Sequence, residues 1–182
     1  MKALLRWLLL LGIAFLALQL FFTLRIAAMM LVDPQSTTFE RSEAWRISQK
    51  PTGLRWRQQW APYSRISDHL KRAVIASEDD GFANHDGVDW EALEKAWERN
   101  AKAEELAARR AQLRPGAGRA PKVVGGSTIT QQLAKNLLLS GERTLLRKGQ
   151  EIALTFALEQ LLTKQRILEI YLNSVEWGEG VF

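Results

Sequence analysis

Gly125-Gly126-Ser127-Thr128-Ile129-Thr130-Gln131-Gln132-Leu133-Ala134-Lys135-Asn136-Leu137-Leu138-Leu139 is the stretch on which the reading of this 182-residue chain turns. Two glycines precede hydroxyl residues suited to capping a helix, and an apolar residue then recurs every fourth position. At about 100° per residue, Ile129, Leu133 and Leu137 share one face, while Thr128, Gln132, Lys135 and Asn136 share the other. The polar face offers hydroxyl, amide and ammonium groups and no carboxylate, a mixture suited to a sugar or a phosphate. The glycines let backbone approach a ligand, and the helix dipole favours an anion at that end. An ordinary amphipathic helix with a solvated face fits the same spacing.

Working outward, helix signals dominate. The first helix of this run stops by Gly141, and a second spans about Thr144 to Leu162. It opens on Arg147-Lys148-Gly149-Gln150-Glu151 and is then apolar nearly all round. Arg147 and Glu151 have ordinary i,i+4 ion-pair spacing, and structural pairing is the common explanation for such a trio. A carboxylate held beside two cations near a core or cleft also stays ionised, which makes Glu151 a candidate functional group. A further helix runs from after Thr163 to near Asn173. Upstream, Ser67 caps a helix whose predicted inner stripe is Leu70, Ala73, Val74 and Ser77. Asp89 caps another, with Trp90, Leu93 and Trp97 expected inward and the pairs Glu91–Lys95 and Glu98–Lys102 outward. Ala101 to Lys122 is charged and Ala-rich, then broken by Pro115, Gly116, Gly118 and Pro121, which predicts a frayed helix end and a mobile loop. With no internal repeat and no convincing strand ladder, the expected class is all-α or nearly so.

Between two of these helices lies Ser77-Glu78-Asp79-Asp80-Gly81-Phe82-Ala83-Asn84-His85-Asp86-Gly87-Val88-Asp89. Its acids and its histidine are packed between glycines that permit tight turns. The acid spacing misses the EF-hand pattern, which requires a Glu at the loop's twelfth position. Helix capping accounts for Asp89 but not for Glu78-Asp79-Asp80. Glu78 is the leading candidate for acid–base chemistry, with Asp79 and Asp80 as neighbours able to raise its pKa. The adjacent trio Ser67-Asp68-His69 is a decoy, because a catalytic triad is assembled in space from distant positions.

The N-terminal 32 residues differ from the rest. Trp7 to Leu24 is an uncharged run in which only Gln19 and Thr23 are clearly polar. As a helix it is about 27 Å long, close to the hydrocarbon thickness of a bilayer. An uncleaved membrane anchor is the preferred reading over a cleaved signal peptide, whose apolar region is usually shorter, and over a core helix. Lys2 and Arg6 favour a cytoplasmic N-terminus, with Arg25 on the far side weakening that bias. The expected organisation is an anchor over 1–32, a juxtamembrane connector over 33–63 with a short strand near Leu54 to Trp60, and a folded domain over 64–182. The connector's Arg55-Trp56-Arg57 suits a membrane interface or packing on the domain. There are no cysteines, which excludes disulfides, thiolate metal sites and a Cys nucleophile. The net charge of +5 suits anionic partners, and beside an anchor these are expected to be lipid-linked anions rather than nucleic acid.

Four segments in order resemble the motifs of the peptidoglycan glycosyltransferases, glycosyltransferase family 51. They are Glu78-Asp79-x-x-Phe82-x-x-His85-x-Gly87, then Gly125 to Asn136, then Arg147-Lys148-x-x-Glu151, then Lys164-x-x-Ile167-Leu168-Glu169-x-Tyr171-Leu172-Asn173. The match covers about Ser67 to Phe182, and the short chain with one span is similar to the monofunctional type. No Ser-x-x-Lys of a penicillin-binding domain occurs. The resemblance implies a mostly α, lysozyme-like fold on an N-terminal transmembrane helix, and polymerisation of lipid II into β-1,4 glycan with inversion. It implies that Glu78 is the general base for the acceptor's 4-hydroxyl. Glu151 would lie in the donor site near the diphosphate, with Mg²⁺ as its candidate cofactor. Lys135, Arg147 and Lys148 would neutralise the leaving group, and Thr128, Gln132 and Asn136 would hold sugar and phosphate oxygens. Asp79, Phe82 and His85 would shape the loop that carries Glu78. Ser127, Tyr171 and Asn173 lie in the matching motifs and join the substrate-binding candidates. The implied location is the inner membrane, single-pass, with the domain in the periplasm, and the implied partners include division or elongation proteins. Two departures stand out. Glu94 to Val124 is longer and more basic than the family pattern, which predicts disorder or a lid. The sequence also stops where family members continue, so the domain is expected to be C-terminally incomplete. A lysozyme-like hydrolase and an inactive cell-wall scaffold are the alternative readings.

Overall fold

A computed structural model of the chain describes residues 1–51, 53–113, 123, 125–139, 141–142 and 144–182. The described residues form seven α-helices: α1 (Lys2–Ala28), α2 (Thr38–Ser48), α3 (Asp68–Glu78), α4 (Trp90–Leu113), α5 (Ile129–Leu138), α6 (Leu145–Leu161) and α7 (Lys164–Leu172). Among them there is no strand, only isolated bridges that pair Arg57 with Val181 and Gly178 with Val181. The near-all-α expectation holds. The strand expected near Leu54 to Trp60 reduces to that single parallel pairing, in which residues 57–59 bond only to the short segment 180–182.

The core is built around α5. Ile129, Leu133 and Leu137 are fully buried, as their spacing requires, and α5 packs on α2, α6 and α7. Four of the helix starts are set by threonines, Thr37 at α2 among them. Thr128, Thr144 and Thr163 each accept a hydrogen bond from a backbone N–H one turn on, which satisfies a donor that the helix leaves free. Asp89 does the same for α4 through the N–H of Ala92.

Two expected faces are wrong. The inward stripe of α3 is displaced by one residue: Lys71 is buried and Val74 and Ile75 pack on the core, whereas Leu70, Ala73 and Ser77 are exposed. Lys71 enters this stripe because its ammonium lies 3.9 Å from the Tyr63 ring centroid and 3.0 Å from Asp68. The displacement aligns Glu78 with 71, 74 and 75. On α4, Trp90 and Trp97 are exposed and Leu93 is barely covered. Contact instead runs through Ala96, which is buried beside Gly126. The loop expected towards Lys122 lies, from residue 114 on, outside the described residues, whereas residues 94–113 of the predicted lid are part of α4.

The connector holds a helix that the sequence reading missed. Thr37 and Glu40 form a capping box that starts α2, and the Thr38 hydroxyl donates to the Leu137 carbonyl at 3.1 Å. Glu40 is buried, and burial raises its pKa above the ordinary 4.5. Helix α1 is 27 residues long, contains an 18-residue stretch with a mean hydropathy of 2.3, and fits a membrane anchor by length and composition. Its last turns are not a free tether. Ile26 and Met29 belong to the domain core with Phe22 packed beside them, and Arg166 Nε donates to the Met29 carbonyl at 2.8 Å.

Candidate active site

Asp79 organises the acidic turn. It ends α3, and its side chain points away from solvent. One carboxylate oxygen accepts from the Ile129 N–H at 2.9 Å, so Asp79 also receives the first turn of α5. The other lies 2.8 Å from His85 Nε2. His85 Nδ1 accepts the Gly87 N–H at 3.1 Å, which leaves Nε2 as the nitrogen that donates towards Asp79. Phe82 is buried edge-on to His85, with the Lys164 ammonium 4.6 Å from its ring centroid. Lys164 also donates to the His85 carbonyl at 2.6 Å and to Glu159 at 2.8 Å. Gly87 has φ +94°, and a Cβ there would lie 2.6 Å from Thr155 Cγ2, so both its backbone and the space around it require glycine. Asp79, Phe82 and His85 therefore hold the turn in place.

Glu78, like Asp80 and Asp86 of this turn, is exposed. Its Oε2 accepts from Gln132 Nε2 at 3.0 Å. Gln132 Oε1 in turn accepts from the Tyr171 hydroxyl at 3.1 Å. Burial, reinforced by the nearby carboxylates of Glu78 and Asp79, pushes the Tyr171 phenol up to about 12. The phenol thus remains a donor at neutral pH. It fixes which end of the Gln132 amide faces Glu78. Of the two expected acidic neighbours, Asp79 is turned inward onto His85 and Ile129 rather than ranged beside Glu78.

Glu78 and Ser77 stand on the ridge between two clefts. The first, of about 480 Å³, is walled by the acidic turn, by Ser127 and Thr128, and by Lys95 and Arg99 of α4. The second, of about 490 Å³, is walled by Gln132, Lys135, Asn136, Tyr171 and Trp177. Sequence reasoning had missed Lys95, Arg99 and Trp177. Lys95 looked like half of a surface ion pair, which it also is, at 2.5 Å from Glu91. A carboxylate between two polar clefts can take a proton from a group in one as that group attacks a centre in the other.

Two of the substrate-binding candidates have their polar atoms engaged within the protein. The Thr128 hydroxyl donates to the Gly87 carbonyl at 2.5 Å and accepts the Gln131 N–H. The Asn173 amide accepts the Ala61 N–H at 2.7 Å and donates to the carbonyls of Ala61 and Glu169, stapling Ala61 to the end of α7. The geometry gives both a structural part.

Arg147, Lys148 and Glu151 come together on the first turns of α6 but do not wall either cleft beside Glu78. Glu151 is buried. One of its oxygens accepts from Arg147 at 2.8 Å and the other from Lys148 at 2.5 Å. Two cations against one carboxylate leave a positive charge in excess, and the buried Arg147 Nε has no partner among the described residues. This group can receive an anion. It does not fit a protein-held Mg²⁺: both Glu151 oxygens are taken by cations, and the described residues contain no cluster of three acid or imidazole ligands.

Comparison with known proteins gives the same answer as the motifs. The transglycosylase family model matches residues 47–182. The chain is 50% identical over 169 residues to a biosynthetic peptidoglycan transglycosylase of Burkholderia thailandensis, covering 93% of this chain and 60% of that protein. It is 47% identical to one of Herminiimonas arsenicoxydans, covering 100% and 72%, and 52% identical to one of Cupriavidus metallidurans, covering 91% and 65%. The chain thus spans 60% to 72% of the length of these relatives. The helical domain is of the lysozyme-like kind that the motifs implied. With the match running from the end of α2 to the last residue, the chain belongs to the transglycosylase family.

Proposed function

We propose that this protein is a peptidoglycan glycosyltransferase that polymerises lipid II into β-1,4 glycan strands and releases undecaprenyl diphosphate. The observation that carries the reading is the Glu78 carboxylate on the ridge between two polar clefts, aimed by Gln132 and, through it, by Tyr171. The acceptor's 4-hydroxyl attacks the anomeric carbon of the growing chain, the bond from that carbon to the diphosphate breaks, and Glu78 takes the hydroxyl proton. The attack arrives opposite the leaving group and inverts the centre. A diphosphate departs without protonation, so the site needs positive charge rather than a second acid. The excess charge of the Arg147–Lys148–Glu151 group and the ammonium of Lys135 are suited to that role.

The membrane setting follows from the substrate, which is confined to a bilayer. Lys2 and Arg6 support a cytoplasmic N-terminus and a domain on the outer face of the inner membrane. Division or elongation proteins are the partners such an enzyme would work beside. Burial of Ile26 and Met29 in the domain core favours a retained anchor over a cleaved signal, since cleavage after α1 would strip the core.

The full-length protein in detergent, given lipid II, is expected to yield glycan polymer, and Glu78→Gln to abolish it with the helical circular dichroism unchanged. Retained turnover in the variant would remove Glu78 as the base. Release of reducing ends from purified sacculi, with no polymer formed, would favour the hydrolase instead.

A further inference from the structure

Helix α1 carries one amide in its apolar middle. Gln19 lies nine residues before Ala28, about 14 Å down the helix axis, and six residues before Arg25, about 9 Å. With Arg25 held near the interface, Gln19 is within the hydrocarbon slab. An unpartnered amide at that depth is costly, and lipid offers it no hydrogen bond. Gln19 is instead paired. Its Nε2 donates to Gln150 Oε1 at 3.0 Å, and Gln150 Nε2 donates back to Gln19 Oε1 at 3.0 Å. Gln150 is on α6, the helix against which α1 packs. It lies between Lys148 and Glu151 in sequence, within one turn of every member of the cationic group. Leu145 and Leu146, at the start of the same helix, are almost wholly exposed.

We infer that the reciprocal Gln19–Gln150 pair is a positioning lock. It fixes how far the first turns of α6 sink into the outer leaflet, and so sets the Arg147–Lys148–Glu151 group at the level of a lipid-linked diphosphate. The buried Ile26 and Met29 fix where α1 enters the domain, and Gln19, about two turns further into the slab than Ile26, fixes how the start of α6 lies against it there. Two amides that satisfy each other permit a single register. The exposed Leu145 and Leu146 then face acyl chains, and the cations one residue further on reach back to the phosphate level. The role as a lock on diphosphate capture rests on the proposed glycosyltransfer; the depth it sets does not.

The chain has no cysteine, so a bimane label on Leu146→Cys reports one position. Depth is read in phosphatidylglycerol–phosphatidylethanolamine vesicles from quenching by lipids brominated at shallow or deep acyl carbons. In the parent, quenching should peak at one depth. Gln19→Leu and Gln150→Leu should each shift or broaden that profile, and the double variant should be no worse than the worse single, since the two residues act as one unit. In the same vesicles the KM for lipid II should rise about fivefold in each variant while kcat stays within about twofold, the mark of weakened substrate capture rather than damaged chemistry. Parent-like depth profiles in all three variants, with circular dichroism showing them folded, would overturn the lock. So would a fall in kcat at constant KM. The depth measurement needs no turnover, so absence of polymerase activity would sink the proposed function without deciding the lock.

Discussion

Asp79 makes two hydrogen bonds that no uncharged replacement can keep together. Its oxygens accept from Ile129 N–H at 2.9 Å and from His85 Nε2–H at 2.8 Å, and both partners are shielded from water. An asparagine has one acceptor and one donor end. In either orientation its NH₂ faces one of the two N–H groups. Moving the histidine proton to Nδ1 does not help, because Nδ1 accepts the Gly87 N–H and would then confront it. Asp79→Asn therefore leaves one buried donor unsatisfied, at a cost of about 1–3 kcal/mol. Asp79→Ala strands both donors and should cost about 2–6 kcal/mol by the same reckoning. Urea unfolding in mild detergent, followed by circular dichroism, measures the difference. With a slope of about 1–3 kcal/mol per molar, the Asn midpoint should fall by roughly 1 M and the Ala midpoint by about twice that. The turn also carries Glu78, so glycan synthesis should fall in parallel. An Asn variant as stable as the parent would refute the two-acceptor argument, and so would Asn and Ala variants of equal stability.

Two more outcomes follow from the same contacts. Tyr171→Phe removes the hydroxyl that orients Gln132, and kcat for polymerisation should drop about two- to tenfold, the worth of one neutral hydrogen bond, with KM held. An unchanged kcat would mean that Gln132 holds Glu78 unaided. Glu40 has a raised native pKa, so its protonated form is favoured on folding; this stabilising term is present below its ordinary value of 4.5 and is lost as pH rises through the raised native value. Glu40→Gln keeps the side-chain acceptor of the capping box and removes the buried charge. Its stability should match or exceed the parent's at pH 7, with the gain gone below pH 4.5; a gain that persisted in acid would refute the charge argument.

Much of the fold was legible because its signals are local. The threonine caps and the Ile129, Leu133, Leu137 period lie within a few residues of one another, and α5, α6 and α7 begin and end close to where those signals put them. The capping box of α2 was equally local, but the Pro and Gly residues around it masked it. The faces of α3 and α4 could not be read in the same way. Which side of a helix is covered depends on its neighbour, and here Lys71 is covered through Tyr63 while Trp90 and Trp97 are left bare. In the site, the motifs pointed to Glu78, Gln132 and Tyr171 without showing that they touch. Tyr171 meets Gln132 across 39 residues, Gln132 meets Glu78 across 54 and Gln19 meets Gln150 across 131, distances over which no periodicity operates.

The insertion of α1 into the domain bears on how a soluble version should be cut. A shortened chain starting at residue 33, the natural choice if the anchor were a mere tether, would lose Ile26 and Met29 from the core, about 3–6 kcal/mol of apolar burial, and would leave Arg166 Nε without the Met29 carbonyl. A cut ahead of Phe22 would keep that plug. The boundary between the part that holds the protein in the lipid and the part that holds it folded runs through the middle of a helix.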